Sequence, residues 1–170
     1  MNKIFRKTSI AMAVGVVASV TSLTGTASAS AATFELLNYN GWAPELCLAI
    51  AGGSKANGAR AIQWGCNGGN EQRWYWSGTR LVNANSGKCL AIGNASKVAG
   101  AAAIQWECGD GAEQRWRKVS MGAGEGWGFQ NYNSNKWLAV PNSSQANGTP
   151  VIQWHASQNQ DQNWAMRMHG

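Results

Sequence analysis

The feature that most limits how this chain can fold is a threefold internal repeat. The triplet Ile-Gln-Trp occurs at Ile62–Trp64, Ile104–Trp106 and Ile152–Trp154. A Gln-x-Trp follows each one, at Gln72–Trp74, Gln114–Trp116 and Gln162–Trp164, always with ten residues from first to second Trp. Upstream, Cys47-Leu48-Ala49-Ile50 and Cys89-Leu90-Ala91-Ile92 match Trp137-Leu138-Ala139-Val140, each 17 residues ahead of its Ile-Gln-Trp tryptophan. Further upstream, Leu36 to Asn40, Leu81 to Asn85 and Phe129 to Asn133 align on a shared Asn-x-Asn. Copies one and two are offset by 42 residues and copies two and three by 48. The surplus falls in the Gly-rich stretch Met121 to Gly126, expected to be a longer and unusually mobile loop. Repetition also accounts for ten tryptophans in so short a chain.

Within a copy, the Cys-Leu-Ala-Ile and Ala-Ile-Gln-Trp segments have the length and composition of strands. Asn57-Gly58, Asn147-Gly148 and the Asn/Ser/Gly runs supply turns. No window carries a helical apolar stripe free of Gly or Pro, so the chain is expected to be all-β. Such a unit cannot bury its apolar face alone. Three of them can, in a closed three-part barrel or in a short solenoid, and the spacing permits either. Cys47 and Cys66 are 19 residues apart, as are Cys89 and Cys108. Copy three carries Trp137 and Ala156 at the matching places, so both partners are lost together. Joint loss points to pairing within each copy, Cys47 with Cys66 and Cys89 with Cys108. Each closed loop would contribute roughly 3 kcal/mol in the chain-entropy model, with apolar packing of Trp137 expected to stand in for the bridge in copy three.

The N-terminal segment reads as a leader. Lys3, Arg6 and Lys7 precede an uncharged run from Ile10 to Leu23, then the small-residue sites Ala27-Ser28-Ala29 and Ala29-Ser30-Ala31. This is the layout of a cleaved secretory signal over residues 1–31, leaving one domain over 32–170. Export agrees with an even cysteine count and two disulfides. The leader holds three of the fourteen basic residues, so the remainder carries eleven against eight acidic ones, a net charge of +3. That balance, without a basic cluster, gives no reason to expect nucleic acid as a partner. The apolar run is too short for a good membrane span and no lipid-anchor Cys follows it. No C-x-x-C suggests a metal or redox site, and the two histidines, His155 and His169, sit in no catalytic motif. Neither a cofactor nor an enzymatic activity is expected, and nothing calls for an oligomer rather than a monomer.

Three Gln-x-Trp motifs in register, intra-repeat cysteine pairs and an export signal together resemble the ricin B-type lectin family. The resemblance spans essentially the whole mature chain, with copies over residues 34–76, 77–119 and 127–167. It implies a β-trefoil with pseudo-threefold symmetry and up to three shallow sugar sites. It also implies structural roles for Gln72, Trp74, Gln114, Trp116, Gln162 and Trp164, the Trp in the core and the Gln tying down a loop.

The family's sugar sites use an Asp two residues after the first Cys, an aromatic two residues before the second, and a polar residue just before the Gln of Gln-x-Trp. Here the Asp positions hold Ala49, Ala91 and Ala139. This departure counts against the family's usual galactose-type recognition. The aromatic is present as Trp64, Trp106 and Trp154, and the last position is acidic, Glu71, Glu113 and Asp161. A carboxylate accepts strong hydrogen bonds from hydroxyls, so these six residues are the sugar-binding candidates. Two plainer readings stand beside this one. Strand alternation puts Ile62 and Trp64 on one face and Gln63 on the other, which suggests that the tryptophan belongs to the core. An acid in a turn is often only solvated, or caps a helical turn. His155 is either the rim of a third pocket or a lone surface histidine. Asn94, Asn142 and Asn147 each begin a glycosylation sequon.

The expected function is therefore secreted, lectin-like carbohydrate binding. The alternative is a protein-binding trefoil, such as an inhibitor of a secreted hydrolase, acting through the unequal loops Trp42-Ala43-Pro44 and Met121 to Trp127.

Overall fold

The structure, a computed structural model, describes residues 32–39, 45–122, 126–157 and 159–169. The leader, the 42–44 loop and the centre of the 121–126 loop lie outside these residues. Twelve antiparallel strands follow one another, four per copy. Copy one has β1 (Thr33–Asn38), β2 (Leu46–Ile50), β3 (Ala61–Gly65) and β4 (Trp74–Ser77). Copy two has β5 (Arg80–Asn83), β6 (Cys89–Ile92), β7 (Ala103–Trp106) and β8 (Trp116–Ser120). Copy three has β9 (Trp127–Asn131), β10 (Trp137–Ala139), β11 (Ile152–Trp154) and β12 (Trp164–His169).

The first and last strands of the copies build a barrel. Strand β1 pairs with β12 and β4, β4 with β5, β8 with β9, and β9 with β12. The remaining joint is a backbone bond from Trp116 N to Thr79 O at 2.8 Å, the counterpart of Phe34↔Trp74 and Trp164↔Trp127. Closure leaves the barrel no open edge. The inner strands form three hairpins, β2–β3, β6–β7 and β10–β11, set over one end of the barrel. This is the β-trefoil, and it settles the choice between barrel and solenoid.

The core repeats in threes. Leu48, Leu90 and Leu138 form one set; Ile50, Ile92 and Val140 a second; Ala61, Ala103 and Val151 a third. Trp74, Trp116 and Trp164 are at most 1% exposed, and each indole donates to a backbone carbonyl, of Leu48, Leu90 and Leu138, at 2.9–3.2 Å. That bond lets a large ring be buried without stranding its N–H. Gln72 donates to Gly65 O and accepts from Asn67 N; Gln114 and Gln162 do the same with Glu107 and Gly109, and with His155 and Ser157. Each Gln of Gln-x-Trp thus pins the loop that follows the hairpin.

Cys47 is bonded to Cys66 and Cys89 to Cys108. In copy three the half-buried Trp137 lies on Gly128, where a methyl group would overlap its ring. Trp137 takes the position of the first bridged cysteine and packs over a glycine.

The strands carrying the two ends of the fold, β1 and β12, meet around Glu35, whose carboxylate is fully buried. Arg167 reaches Glu35 Oε2 at 2.6 Å and also pairs with Glu45, while His169 Nε2 lies 3.1 Å from the same Glu35 oxygen. Burial pushes the Glu35 pKa up, but hydrogen bonds from Arg167 and His169 outweigh it and hold the value below the ordinary 4.5.

Two outcomes follow from this architecture. Trp116→Ala should cost about 3–5 kcal/mol, the range for a fully buried ring, read from urea unfolding; a loss under 1 kcal/mol would show that the ring is not a core element. Because the folded Glu35 pKa is depressed, its contribution is complete above about pH 4.5 and is lost as pH falls through the folded value. Glu35→Gln should therefore flatten the acid side of a melting-temperature profile; an unchanged slope below that pH would exclude the cluster as a stabiliser.

Candidate functional site

Each copy has one hollow between its inner hairpin and the turn that precedes Gln-x-Trp. In copy one it is lined by Ala49, Gly52, Ile62, Trp64, Asn67 and Glu71. In copy two the lining is Ala91, Asn94, Ala95, Ile104, Trp106 and Glu113. In copy three it is Ala139, Pro141, Asn142, Ile152, Trp154 and Asp161. Every aromatic–acid pair named from the sequence thus shares one hollow, together with the alanine that replaces the family's Asp.

The Ile-Gln-Trp strand is turned opposite to what its hydrophobicity suggests. Gln63, Gln105 and Gln153 are fully buried, while Trp64, Trp106 and Trp154 are 44–46% exposed. The core reading of these three tryptophans is therefore corrected. Ile and Trp do share a face, but that face is the floor and wall of the hollow. The polar residue points inward because it has partners there. Gln63 Nε2 donates to the Ser144 and Ala146 carbonyls of copy three, Gln105 to Ser54 and Ala56 of copy one, and Gln153 to Ser96 and Val98 of copy two.

The neighbouring copy also holds the platform. A methyl group on Gly148 would sit 3.7 Å from the Trp64 ring, one on Gly58 the same distance from Trp106, and one on Gly100 3.6 Å from Trp154. These glycines have φ of +81° to +89°, a conformation that glycine adopts without a Cβ penalty. The turn thereby presents bare backbone to the edge of the indole.

The acids lie on short 3-10 turns, Asn70–Gln72, Ala112–Gln114 and Gln160–Gln162, none with a side-chain cap. The main-chain carbonyls of Glu71, Glu113 and Asp161 are gripped by the amides of Asn83, Asn131 and Asn38, the first Asn of each Asn-x-Asn. The Glu71 and Glu113 carboxylates fold back against Gly69 and Gly111, leaving no room for a methyl there. Copy three has Asn159 at that place and the shorter Asp161. Burial raises the Asp161 pKa above 3.8, partly offset by a hydrogen bond from its own backbone N–H. His155 sits edge-on to Trp154, ring centroids 5.9 Å apart, so it borders the third platform.

Sequence reasoning missed part of the lining of the hollow. Asn94 and Asn142 line it from left-handed backbone, each at φ +54°, and Gly52 holds that place in copy one at +61°. A position that is Gly in one copy and Asn in two is the mark of that conformation; the two asparagines stand out in the sequence only as sequons. With Gly52 there, the copy-one hollow is the widest, about 370 Å³ against about 180 and 160 Å³.

The family model for ricin-type β-trefoil lectin-like domains matches residues 22–79 and 76–154. A search of curated protein sequences returns no match. Among solved structures, the designed threefold-symmetric protein ThreeFoil is 31% identical, with a TM-score of 0.74 over 79% of this chain and 97% of its own. An exo-β-1,3-galactanase from Clostridium thermocellum is 26% identical at a TM-score of 0.75, over 83% of this chain and 31% of the enzyme. The Macrolepiota procera ricin B-like lectin, solved with lactose, is 18% identical at 0.66 over 79% of this chain and 94% of its own, a likeness of fold. With three hollows on a threefold frame, and with family matches that together run from residue 22 to 154, the chain belongs to the family of ricin-type β-trefoil lectin-like domains.

Proposed function

We propose that the protein is a secreted carbohydrate-binding protein with three sites, built on Trp64 with Glu71, Trp106 with Glu113, and Trp154 with Asp161. The observation that carries this reading is the recurrence of a half-exposed indole beside an acid in all three hollows. An exposed indole face suits the apolar face of a sugar ring, adding about 1 kcal/mol beyond area burial. The nearby carboxylate accepts hydroxyl hydrogen bonds, worth about 1.5–3 kcal/mol each when the acceptor is charged. With Ala49, Ala91 and Ala139 buried where an Asp would project, polar recognition shifts to the opposite wall. Shallow sites of this kind bind weakly one at a time, and three on one rigid frame gain on a repetitive glycan through effective concentration. A binding role without catalysis fits this arrangement. The inhibitor alternative rests on loops that differ between copies, whereas the hollows recur.

A glycan array on the mature protein, followed by titration at copy two, tests the proposal. Glu113→Gln should weaken binding about tenfold and Trp106→Ala at least as much, both without loss of melting temperature. Unchanged affinity in both variants would eliminate the hollow as the site. At copy three, affinity should be full at neutral pH and fall as pH drops through the raised Asp161 value, above 3.8. Asp161→Asn should remove that dependence; a pH-independent site three in the parent protein would rule out the carboxylate as acceptor.

A further inference from the structure

The loop that braces each platform brings a second polar group with it. At the platforms of copies one and two the residue before the bracing glycine is Asn, namely Asn147 before Gly148 beside Trp64 and Asn57 before Gly58 beside Trp106. Asn147 Oδ1 accepts from Gly65 N at 2.8 Å, and Asn57 Oδ1 accepts from Glu107 N at 3.0 Å. Each donating N–H belongs to the residue just after a platform tryptophan. A backbone N–H only donates, so it must face the amide oxygen, and this fixes the side chain's orientation. The NH2 end is turned the other way. Both asparagines are exposed, and neither amide nitrogen makes a hydrogen bond among the described residues. The result is an oriented pair of donors beside the indole, outside the hollow and supplied by a different copy.

Copy three lacks this arrangement. Gly100 still braces Trp154, but the residue before it is Ala99, and the flank is taken by the His155 ring edge-on to the indole. The stacking platform is thus common to all three sites, while the outer amide belongs to two of them.

We propose that Asn57 and Asn147 form a second sugar subsite beside Trp106 and Trp64, so that copies one and two read two consecutive units of a glycan and copy three reads one. This rests on the sugar-binding reading above. The unit stacked on the indole has its polar contacts in the hollow. The unit linked to it leaves over the edge of the ring, where the NH2 donates to a hydroxyl or to the linkage oxygen. Since the amide oxygen is already bound to backbone, the donors are held in place before the sugar arrives, and little ordering entropy opposes the contact.

The test uses galactose with lactose, glucose with cellobiose, and xylose with xylobiose, titrated into the mature protein. The readout is the indole N–H resonances of Trp64, Trp106 and Trp154, assigned by single Trp→Phe variants. The disaccharide should bind about three- to tenfold more tightly than its monosaccharide at Trp64 and Trp106, the gain expected of one added hydrogen bond, and equally at Trp154. Asn57→Asp keeps the acceptor for Glu107 N and removes the donors. It should abolish the disaccharide advantage at Trp106 alone, leaving monosaccharide affinity there and both affinities at Trp64 unchanged. Asn57→Ala should do the same, which separates loss of the donor from the added charge. Ala99→Asn should confer the advantage on Trp154. Equal mono- and disaccharide affinity at all three reporters, or an advantage that survives both Asn57 variants, would overturn the subsite and leave the hollows standing. If none of the six sugars shifts any of the three resonances, the sugar-binding reading falls and the subsite with it.

Discussion

Three buried glutamines hold this trefoil together. Gln63, Gln105 and Gln153 are each fully enclosed, and each donates two hydrogen bonds to carbonyls of the neighbouring copy's loop. The direction is cyclic: copy one reaches into three, two into one, three into two. The same loop returns backbone bonds to that strand, as in Gly58 N to Gln105 O and Gln105 N to Ala59 O, both 2.9 Å. An amide side chain deep in a protein is costly if unpaired, about 1–3 kcal/mol for each group stranded. No copy can satisfy its glutamine by itself. Ser86 and Ser134 serve the Gln105 and Gln153 oxygens from within the same copy, but the NH2 group of each glutamine is met by a second copy, so the hairpins close into a ring of three and an open array is disfavoured.

This cross-connection also makes the candidate sites. Turning glutamine inward forces the next residue, the tryptophan, outward on the same strand. The loop that accepts the glutamine's bonds then passes its glycine under the indole edge. A platform left half in water is braced by backbone rather than by a mobile side chain, which costs little on binding. Fold closure and the presentation of an aromatic surface are two results of one tripeptide. That is why Ile-Gln-Trp is retained in all three copies while the cysteine pair is not.

The sequence displays the parts of the molecule whose partners are local or repeated. Strands, turns and the Cys47–Cys66 and Cys89–Cys108 bridges follow from periodicity and from comparing copies, and the core role of Trp74, Trp116 and Trp164 from the family resemblance. The inward glutamine does not. Its acceptors lie 49 to 83 residues away in sequence, and alternation alone places the apolar face on the core. The role of Asn83 and Asn131, which fix the main chain of Glu71 and Glu113, hides in the same way, although the repeated Asn-x-Asn marks the position. Asn94 and Asn142 look like sequons until their left-handed backbone is seen to line the hollows.

Departures from threefold symmetry are informative because the frame is otherwise so regular. At a core position such as Leu48, Leu90 and Leu138, identity across copies reflects one packing problem solved three times. At the bracing loop the glycine is invariant, since φ near +81° to +89° admits little else, yet its predecessor is Asn, Ala and Asn. No backbone constraint demands that change, because Gly100 braces Trp154 as well as its counterparts brace theirs. Likewise Gly69 and Gly111 let a glutamate fold back on the turn, while copy three pairs Asn159 with a shorter aspartate whose pKa burial raises. The first departure lies beside the platform and outside the hollow, the second at the acid that lines it, and both leave the core untouched. The environment of Trp154, with His155 at its edge, is thus the one among the three platforms that lacks the outer amide.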